Sequence, residues 1–144
     1  MRNFVYPANL KPEVRGRFTV TFRDLPEAIT SGKSQADALL QAADCLEEAV
    51  AGRIADGLAI PQPSRLRRNE VSIPLPAPMA AKAALCMALR ETRLSQNDLA
   101  RKLALDGREI RRMLDPRHPT KLARIQRVLT LLGKRLSLVL EDAA

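Results

Sequence analysis

Residues 94–115, LSQNDLARKLALDGREIRRMLD, carry the clearest structural signal in the C-terminal half. Two short helices that cross at a steep angle need apolar side chains at fixed offsets and a small residue where their backbones approach. Ala100 is the small residue here, and Ala104 stands in the turn, where glycine is commoner. The apolar offsets are filled by Leu99, Leu103, Leu105, Ile110 and Met113. The pattern predicts a helix-turn-helix unit with helices over Gln96–Leu103 and about Gly107–Leu114.

The second helix of this unit predicts a DNA-binding surface. Its exposed arginines are spaced three and four residues apart, which places them on neighbouring ridges of one face. An α-helix fits the major groove of DNA, where arginine donates two hydrogen bonds to O6 and N7 of guanine. The N-terminus of the first helix and the loop after the second offer contacts to backbone phosphates. The predicted DNA-binding residues are Gln96, Arg108, Arg111, Arg112, Arg117, Thr120 and Lys121.

The same pattern also fits a plain helical hairpin with a solvated basic face, because loose helix-turn-helix patterns are common. Arg112 would then only complement the C-terminal end of the helix dipole. Arg108 and Arg111 could also contact phosphates rather than bases. These alternatives stay open at the level of the sequence.

The segments around this unit extend the helical half. An Ala- and Leu-rich pattern predicts a helix over Ala80–Arg93, and Thr120 is expected to cap a further helix that runs to Leu132 and ends at Gly133. Leu136–Leu140 is predicted to be a closing strand. An apolar strand without a hydrogen-bonded partner favours aggregation unless another element covers it. Helix-turn-helix units also usually bind DNA as symmetric pairs. We therefore expect a homodimer that pairs these strands; a higher oligomer is left open.

The N-terminal half predicts a small sheet. Phe4–Tyr6 and Arg17–Phe22 are β-prone, the second with alternating apolar side chains, and the turn region between them predicts a hairpin. Ile29–Thr30 is expected to be a third short strand. Val71–Leu75 is expected to be another, at an edge of the sheet because Pro74 has no N–H to donate to a ladder.

A helix is expected to cover that sheet. Ser34 can cap its N-terminus, with Asp37 three residues later as in a variant capping box, and Gly57 can end it. Apolar residues at spacings of three and four predict one buried stripe. The stripe comprises Leu39, Ala43, Leu46, Val50 and Ile54.

Charge and prolines divide the chain into two parts. Half of the ten prolines lie between Pro61 and Pro78, so that segment cannot be one helix. Residues 1–77 carry 10 Lys/Arg and 9 Asp/Glu, a net charge of +1, whereas residues 78–144 carry 14 and 7, a net charge of +7. The sequence predicts domains over 1–77 and 78–144, the second suited to a polyanion such as nucleic acid.

Several classes of protein are not expected. Two cysteines without a CxxC motif, Cys45 and Cys86, suggest buried reduced thiols rather than a zinc site or a disulfide framework. The N-terminus has no apolar run typical of a signal peptide, and no stretch approaches the roughly 20 apolar residues of a membrane span. We expect a soluble, cytoplasmic protein that needs no cofactor and does not bind a membrane.

Both halves of the sequence resemble the HicB antitoxin family. The N-terminal likeness is carried by Tyr6–Ala8, Gly16–Ala28, Thr30–Ser34 and Ala36–Leu46. The C-terminal likeness to the DNA-binding half of that family is carried by Pro74–Pro78, Leu114–Leu122 and Leu132–Leu136. The resemblance implies an α+β fold, with a partial RNase H-like domain of one small sheet and a covering helix, followed by an all-α helix-turn-helix domain. It also implies an antitoxin that binds and neutralises a HicA-like, mRNA-cleaving ribonuclease and represses its own operon.

An RNase H-like fold raises the question of metal-dependent catalysis, in which clustered carboxylates hold two metal ions. Loop positions and an acidic helix face favour capping or solvated roles for the candidates Asp24, Glu27, Asp37, Asp44, Glu47 and Glu48. His118 is a lone loop histidine with no evident nucleophile beside it. We therefore expect neither an enzyme nor a metal site. A stand-alone repressor, whose N-terminal half senses a ligand or another protein, is the main alternative to the antitoxin.

Overall fold

The structure is a computed structural model that describes residues 1–143. Within that range the chain forms four β-strands and five α-helices. In chain order these are β1 (Val5–Pro12), β2 (Phe18–Thr21), β3 (Ile29–Gly32), α1 (Gln35–Ala55), β4 (Val71–Pro74), α2 (Ala77–Glu91), α3 (Gln96–Leu103), α4 (Gly107–Leu114) and α5 (Leu122–Leu131). A sheet with one covering helix is followed by helices alone, which confirms the predicted α+β class.

The four strands form one antiparallel sheet in the order β3-β2-β1-β4. The predicted hairpin is the β1–β2 pair, and β4 lies at an edge as expected from Pro74. The prediction ended the first strand too early, at Tyr6. β1 is longer because its residues 5–8 pair with β4 and its residues 9–12 pair with β2 on the other side. Local sequence does not show such a change of partner.

Helix α1 covers the sheet, and Ser34 caps it as predicted, since its hydroxyl accepts a hydrogen bond from the Asp37 amide at 3.1 Å. The buried stripe matches the predicted one at Leu46 and Val50, and Ala43 and Ile54 pack partly buried against the core, but the first turns of the helix differ from the prediction. The buried residues are Ala38, Ala42, Leu46 and Val50, while Leu39 is exposed. The cause is close packing against Gly32, where an added Cβ would lie 2.3 Å from the backbone nitrogen of Ala38. Only small side chains, here Ala38 and Ala42, fit in the first turns of the helix, where it approaches the sheet so closely.

Two clusters of buried apolar side chains form the core, and α2 contributes to both. Met79, Ala83 and Cys86 pack with the sheet and α1. Ala81 and Leu85, on another face of the same helix, pack with α3, α4 and α5, as do Ala88 and Leu89. The predicted domain boundary after residue 77 remains a prediction, but the helix that begins there is shared by the two cores.

Three expectations for element ends are wrong. α2 begins at Ala77 rather than Ala80, because Pro78 is tolerated in the first helical turn. It ends at Glu91 rather than Arg93, whose φ of 55° lies in the left-handed region. Thr120 does not cap α5, which begins after Lys121 without a side-chain cap.

Residues 136–140 do not form the expected strand within the single chain. A strand needs a hydrogen-bonded neighbour, and no strand in residues 1–143 pairs with this segment. Its side chains at Leu138, Val139 and Leu140 are 72%, 80% and 97% exposed. Leu136 packs against the C-terminal core, but residues 138–140 are left uncovered by their own chain.

Candidate nucleic-acid interface

Helices α3 and α4 occupy the predicted residues and are both capped at their N-termini. The Ser95 hydroxyl accepts a hydrogen bond from the Asp98 amide at 3.1 Å. At α4, the Asp106 carboxylate accepts from the Glu109 amide at 2.7 Å, and the Glu109 carboxylate accepts from the Asp106 amide at 3.0 Å. This reciprocal capping box fixes the residue at which α4 starts. The turn between α3 and α4 is therefore short, and the capping box fixes where it ends.

The two helices pack through the apolar offsets read from the sequence. Leu99, Leu103, Ile110 and Met113 are at most 6% exposed and share one core cluster. Leu105 packs against the same cluster while partly exposed. Burial of such side chains contributes roughly 1.5–3 kcal/mol each. The pair is thus held as a rigid unit with its other face directed away from the core.

The predicted base-contacting arginines lie on that outer face. Arg108, Arg111 and Arg112 are all exposed, and none of them forms a salt bridge within residues 1–143. The Arg111 guanidinium lies along the first turn of α4, where a Cβ added to Gly107 would be 3.5 Å from its Nη1 atom. Free guanidinium groups on an exposed helix are available to a polyanion.

The loop between α4 and α5 carries the next predicted residues. Arg117 and Lys121 are exposed, and Arg117 donates its backbone N–H to the Asp115 carboxylate at 2.9 Å. Thr120 is half-buried, and its hydroxyl oxygen accepts a hydrogen bond from Lys82 at 2.8 Å. Three predicted phosphate contacts are therefore close in the chain to the arginine-bearing helix.

Gln96 has a different environment from the other predicted residues. It is exposed at the first position of α3, but it lines an open cleft of about 310 Å³ between the two halves of the chain. Residues of the N-terminal half, including Ile54 and Leu58, line the same cleft, and Arg90 donates a hydrogen bond across it to the Gly57 carbonyl. The surroundings of Gln96 therefore differ from those of the other six predicted residues, which belong to α4 and the loop after it.

Sequence reasoning missed two residues that shape this surface. Lys82 on α2 contacts the loop from inside the protein. Arg124 on α5 pairs with Glu109, which joins α5 to the start of α4. Nothing in the local pattern identifies either contact, because each joins residues that are distant in sequence.

The acidic residues considered as metal ligands have other partners. The Asp24 carboxylate accepts hydrogen bonds from the amide and hydroxyl of Ser64 at 2.8 and 2.5 Å. The Glu27 carboxylate forms two hydrogen bonds with Arg53, which hold its pKa below the ordinary value. The Lys33 backbone N–H donates to Asp37 and lowers the pKa of that carboxyl group. Among residues 1–143, no three metal-binding side chains lie together.

The remaining acidic residues form a distinct surface on the outer side of α1. This helix carries four carboxylates and one arginine, a net charge of −3, whereas each of the other helices within residues 1–143 is net positive. Asp44, Glu47 and Glu48 form no salt bridge in the described part of the chain, and Leu40 beside them is 70% exposed. We call these four residues the α1 acidic face. None of the helices found in residues 1–143 is both long and apolar enough for a membrane span.

Comparison with known proteins gives consistent matches along the chain. Residues 5–84, more than half of its length, match the model of a family described as HicB_like antitoxin of bacterial toxin-antitoxin system. The chain is 36% identical over 135 residues to Antitoxin HicB of Escherichia coli (strain K12), covering 94% of this chain and 98% of that protein. It is 37% identical over 138 residues to Antitoxin HicB 2 of Photorhabdus laumondii, covering 96% and 97% of the two chains. Antitoxin HicB 1 of the same organism is 33% identical over 141 residues, with 98% and 90% covered.

Proposed function

Because the chain belongs to the HicB-like antitoxin family, we propose that it neutralises a HicA-like ribonuclease toxin and represses its own operon by binding operator DNA as a dimer. One observation carries the DNA-binding part. The rigid α3–α4 pair presents three exposed arginines that no carboxylate of residues 1–143 neutralises.

The arrangement of α3 and α4 supports operator binding as a helix-turn-helix unit. In such units the second helix enters the major groove, and flanking residues contact the phosphates. Here α4 supplies the arginines, and Arg117, Thr120 and Lys121 of the following loop supply the flanking donors. Gln96 is exposed in the first turn of α3, and we keep it as a further proposed phosphate contact.

Operator binding is tested by a gel-shift titration of the purified chain with the DNA upstream of its own gene. We expect saturable binding that weakens steeply with salt, since cationic side chains displace counterions from phosphates. A scrambled duplex of the same length is the control. Equal affinity for both duplexes at physiological salt would contradict operator recognition.

The α1 acidic face supports the toxin-binding part. An mRNA-cleaving ribonuclease must attract a polyanion, so its RNA-binding surface is cationic. The carboxylates of this face are free to pair with such a surface, and exposed Leu40, one turn before Asp44, adds an apolar contact beside them. Protein interfaces combine apolar contacts with polar and charged ones. Through this face the chain would cover the surface that the toxin needs for RNA.

This part is tested by co-expression with the product of the adjacent gene. Glu48→Lys should weaken co-purification and restore toxicity, because it sets a positive charge against a cationic partner. Glu13→Lys is the control, since it reverses an exposed carboxylate in the β1–β2 turn, outside the α1 acidic face. If Glu48→Lys protects cells as well as Glu13→Lys does, the toxin binds another surface.

The uncovered apolar segment at residues 138–140 supports the dimer. In the proposed dimer, the segment of one chain pairs with the same segment of its mate across a two-fold axis, which gives each a hydrogen-bonded neighbour and buries its leucines. Removal of residues 134–144 should yield monomers in sedimentation analysis and weaken operator binding. A truncated chain that remains dimeric would show that other residues form the interface.

A further inference from the structure

Lys82, on α2, is the one charged or polar residue that is buried among residues 1–143, with 4% of its surface exposed. Its ammonium group donates to the Thr120 hydroxyl oxygen at 2.8 Å, to the His118 carbonyl at 3.0 Å and to the Arg112 carbonyl at 3.4 Å. Burial lowers the pKa of Lys82, because the charged form loses hydration. A buried charge is unfavourable unless it is well paired, so the three acceptors offset a substantial penalty.

The three acceptors belong to one part of the proposed DNA surface. Arg112 is in the last turn of α4, and His118 and Thr120 are in the loop that follows it. We propose that Lys82 is a positioning residue for operator binding, which fixes this loop and the end of α4 from inside the protein. This inference rests on the proposed DNA-binding function and adds a residue that itself does not contact DNA.

The Lys82–Thr120 hydrogen bond also determines which way the Thr120 hydroxyl group points. An ammonium group can only donate hydrogen bonds, so the Thr120 oxygen must accept. The hydroxyl hydrogen of Thr120 is then turned away from Lys82, towards another acceptor. Thr120 is partly exposed, and phosphate oxygens are acceptors only. Lys82 therefore presets Thr120 as a phosphate donor, and a hydrogen bond polarised by a charge is stronger than a neutral one.

The same ammonium group also shapes the backbone on either side of Thr120. By holding the carbonyl of His118 and that of Arg112, it sets the path of the chain between the end of α4 and Lys121. Arg117 and Lys121, both exposed on this path, depend on it for their positions. Without Lys82 the loop would lose two hydrogen bonds to α2, and the end of α4 would lose one.

The first test compares Lys82→Met with Lys33→Met in operator binding. Both remove one positive charge, but Lys33 is exposed beside the N-terminus of α1. We expect about tenfold weaker binding for Lys82→Met, the size of a lost charged hydrogen bond, and little change for Lys33→Met. Thr120→Val, which keeps the lysine, should give a similar loss, and the double variant should lose less than the sum. Additive losses, or equal binding by the two methionine variants, would overturn the inference.

The salt dependence separates positioning from direct contact. Lys121→Ala should reduce the slope of the logarithm of affinity against the logarithm of salt by about one, as expected for a lost phosphate contact. Lys82→Met should weaken binding with a clearly smaller change of slope, since its charge is inside the protein. A slope change equal to that of Lys121→Ala would assign Lys82 to the phosphate contacts instead.

A second measurement does not depend on DNA. In the free protein, Lys82→Met should lower the NMR backbone order parameters of residues 115–120 and leave those of α3 unchanged. Unchanged values in the loop would overturn the positioning role even if operator binding falls. If the wild type fails to bind its operator, the proposed function is wrong, and this measurement still decides whether Lys82 holds the loop. Should Lys82→Met unfold, the same comparison with Thr120→Val replaces it.

Discussion

Arginines beside the N-terminal core and arginines on α4 and its following loop are used in opposite ways. In the N-terminal half, Arg53 forms two hydrogen bonds to Glu27 and a third to the Ala59 carbonyl, and Arg23 is held in the same manner by Glu70. In the C-terminal half, Arg108, Arg111, Arg112 and Arg117 have no carboxylate partner within residues 1–143. Whether an arginine is already paired with a carboxylate therefore indicates more about nucleic-acid binding than the number of arginines does.

The largest expected effect comes from removal of the free arginines. We expect Arg108→Ala with Arg111→Ala to weaken operator binding at least about thirtyfold, since each arginine contributes about 1–3 kcal/mol if it contacts a base. The melting temperature should change little, because both side chains are exposed and unpaired. A fluorescence-anisotropy titration with operator duplex measures the change. Affinity within threefold of the wild type would remove the arginine face from the interface.

The next effect concerns Tyr6, in the core of the N-terminal half. Tyr6 is fully buried and donates its hydroxyl to the Pro61 carbonyl at 2.7 Å, and burial raises its pKa to about 12. Since the folded state holds the neutral phenol, this contribution to stability is complete below pH 10 and is lost as the pH rises through about 12. The chain has one tyrosine and no tryptophan, so the near-ultraviolet absorbance change on phenol ionisation reports this residue alone.

The control for this titration is the denatured chain, whose tyrosine should ionise near the ordinary value of 10.0. The native chain should ionise later, together with loss of its helical circular dichroism. Native and denatured curves that coincide would show that the phenol is accessible and that its hydrogen bond to Pro61 is not maintained in solution.

A smaller effect is expected from removal of a paired arginine. Arg53→Ala should lower the free energy of unfolding by about 1 kcal/mol, because Glu27 and the Ala59 carbonyl lose their donors while water screens part of the loss. Operator affinity should remain that of the wild type. Urea denaturation and the anisotropy titration measure the two quantities. A loss of operator affinity without a loss of stability would show that Arg53 contributes to DNA binding rather than to the stability of the N-terminal half.

The sequence predicts those features of the structure that depend on residues close together in the chain. The bounds of α3 and α4 follow from capping residues and apolar spacing within a few residues, and they are confirmed. The first turns of the α1 stripe could not be predicted, because they depend on the close approach of Gly32. The contacts of Lys82 could not be predicted either, because they join residues 30 or more positions apart. The likeness of the N-terminal half to RNase H and the DNA contacts themselves stay predictions.

The smallest expected effect concerns the turn that joins the two DNA-facing helices. Ala104 has φ 53° and ψ 43°, a left-handed conformation that costs an alanine roughly 1 kcal/mol and costs glycine little. Ala104→Gly should therefore relieve strain, although glycine also makes the unfolded chain more flexible. We expect a net gain of about 0.5 kcal/mol in urea denaturation, with operator affinity unchanged. The matched control is Ala100→Gly, within α3, which should destabilise by about 1 kcal/mol. If both substitutions destabilise equally, the turn is not left-handed in solution, and α4 would leave α3 at another angle.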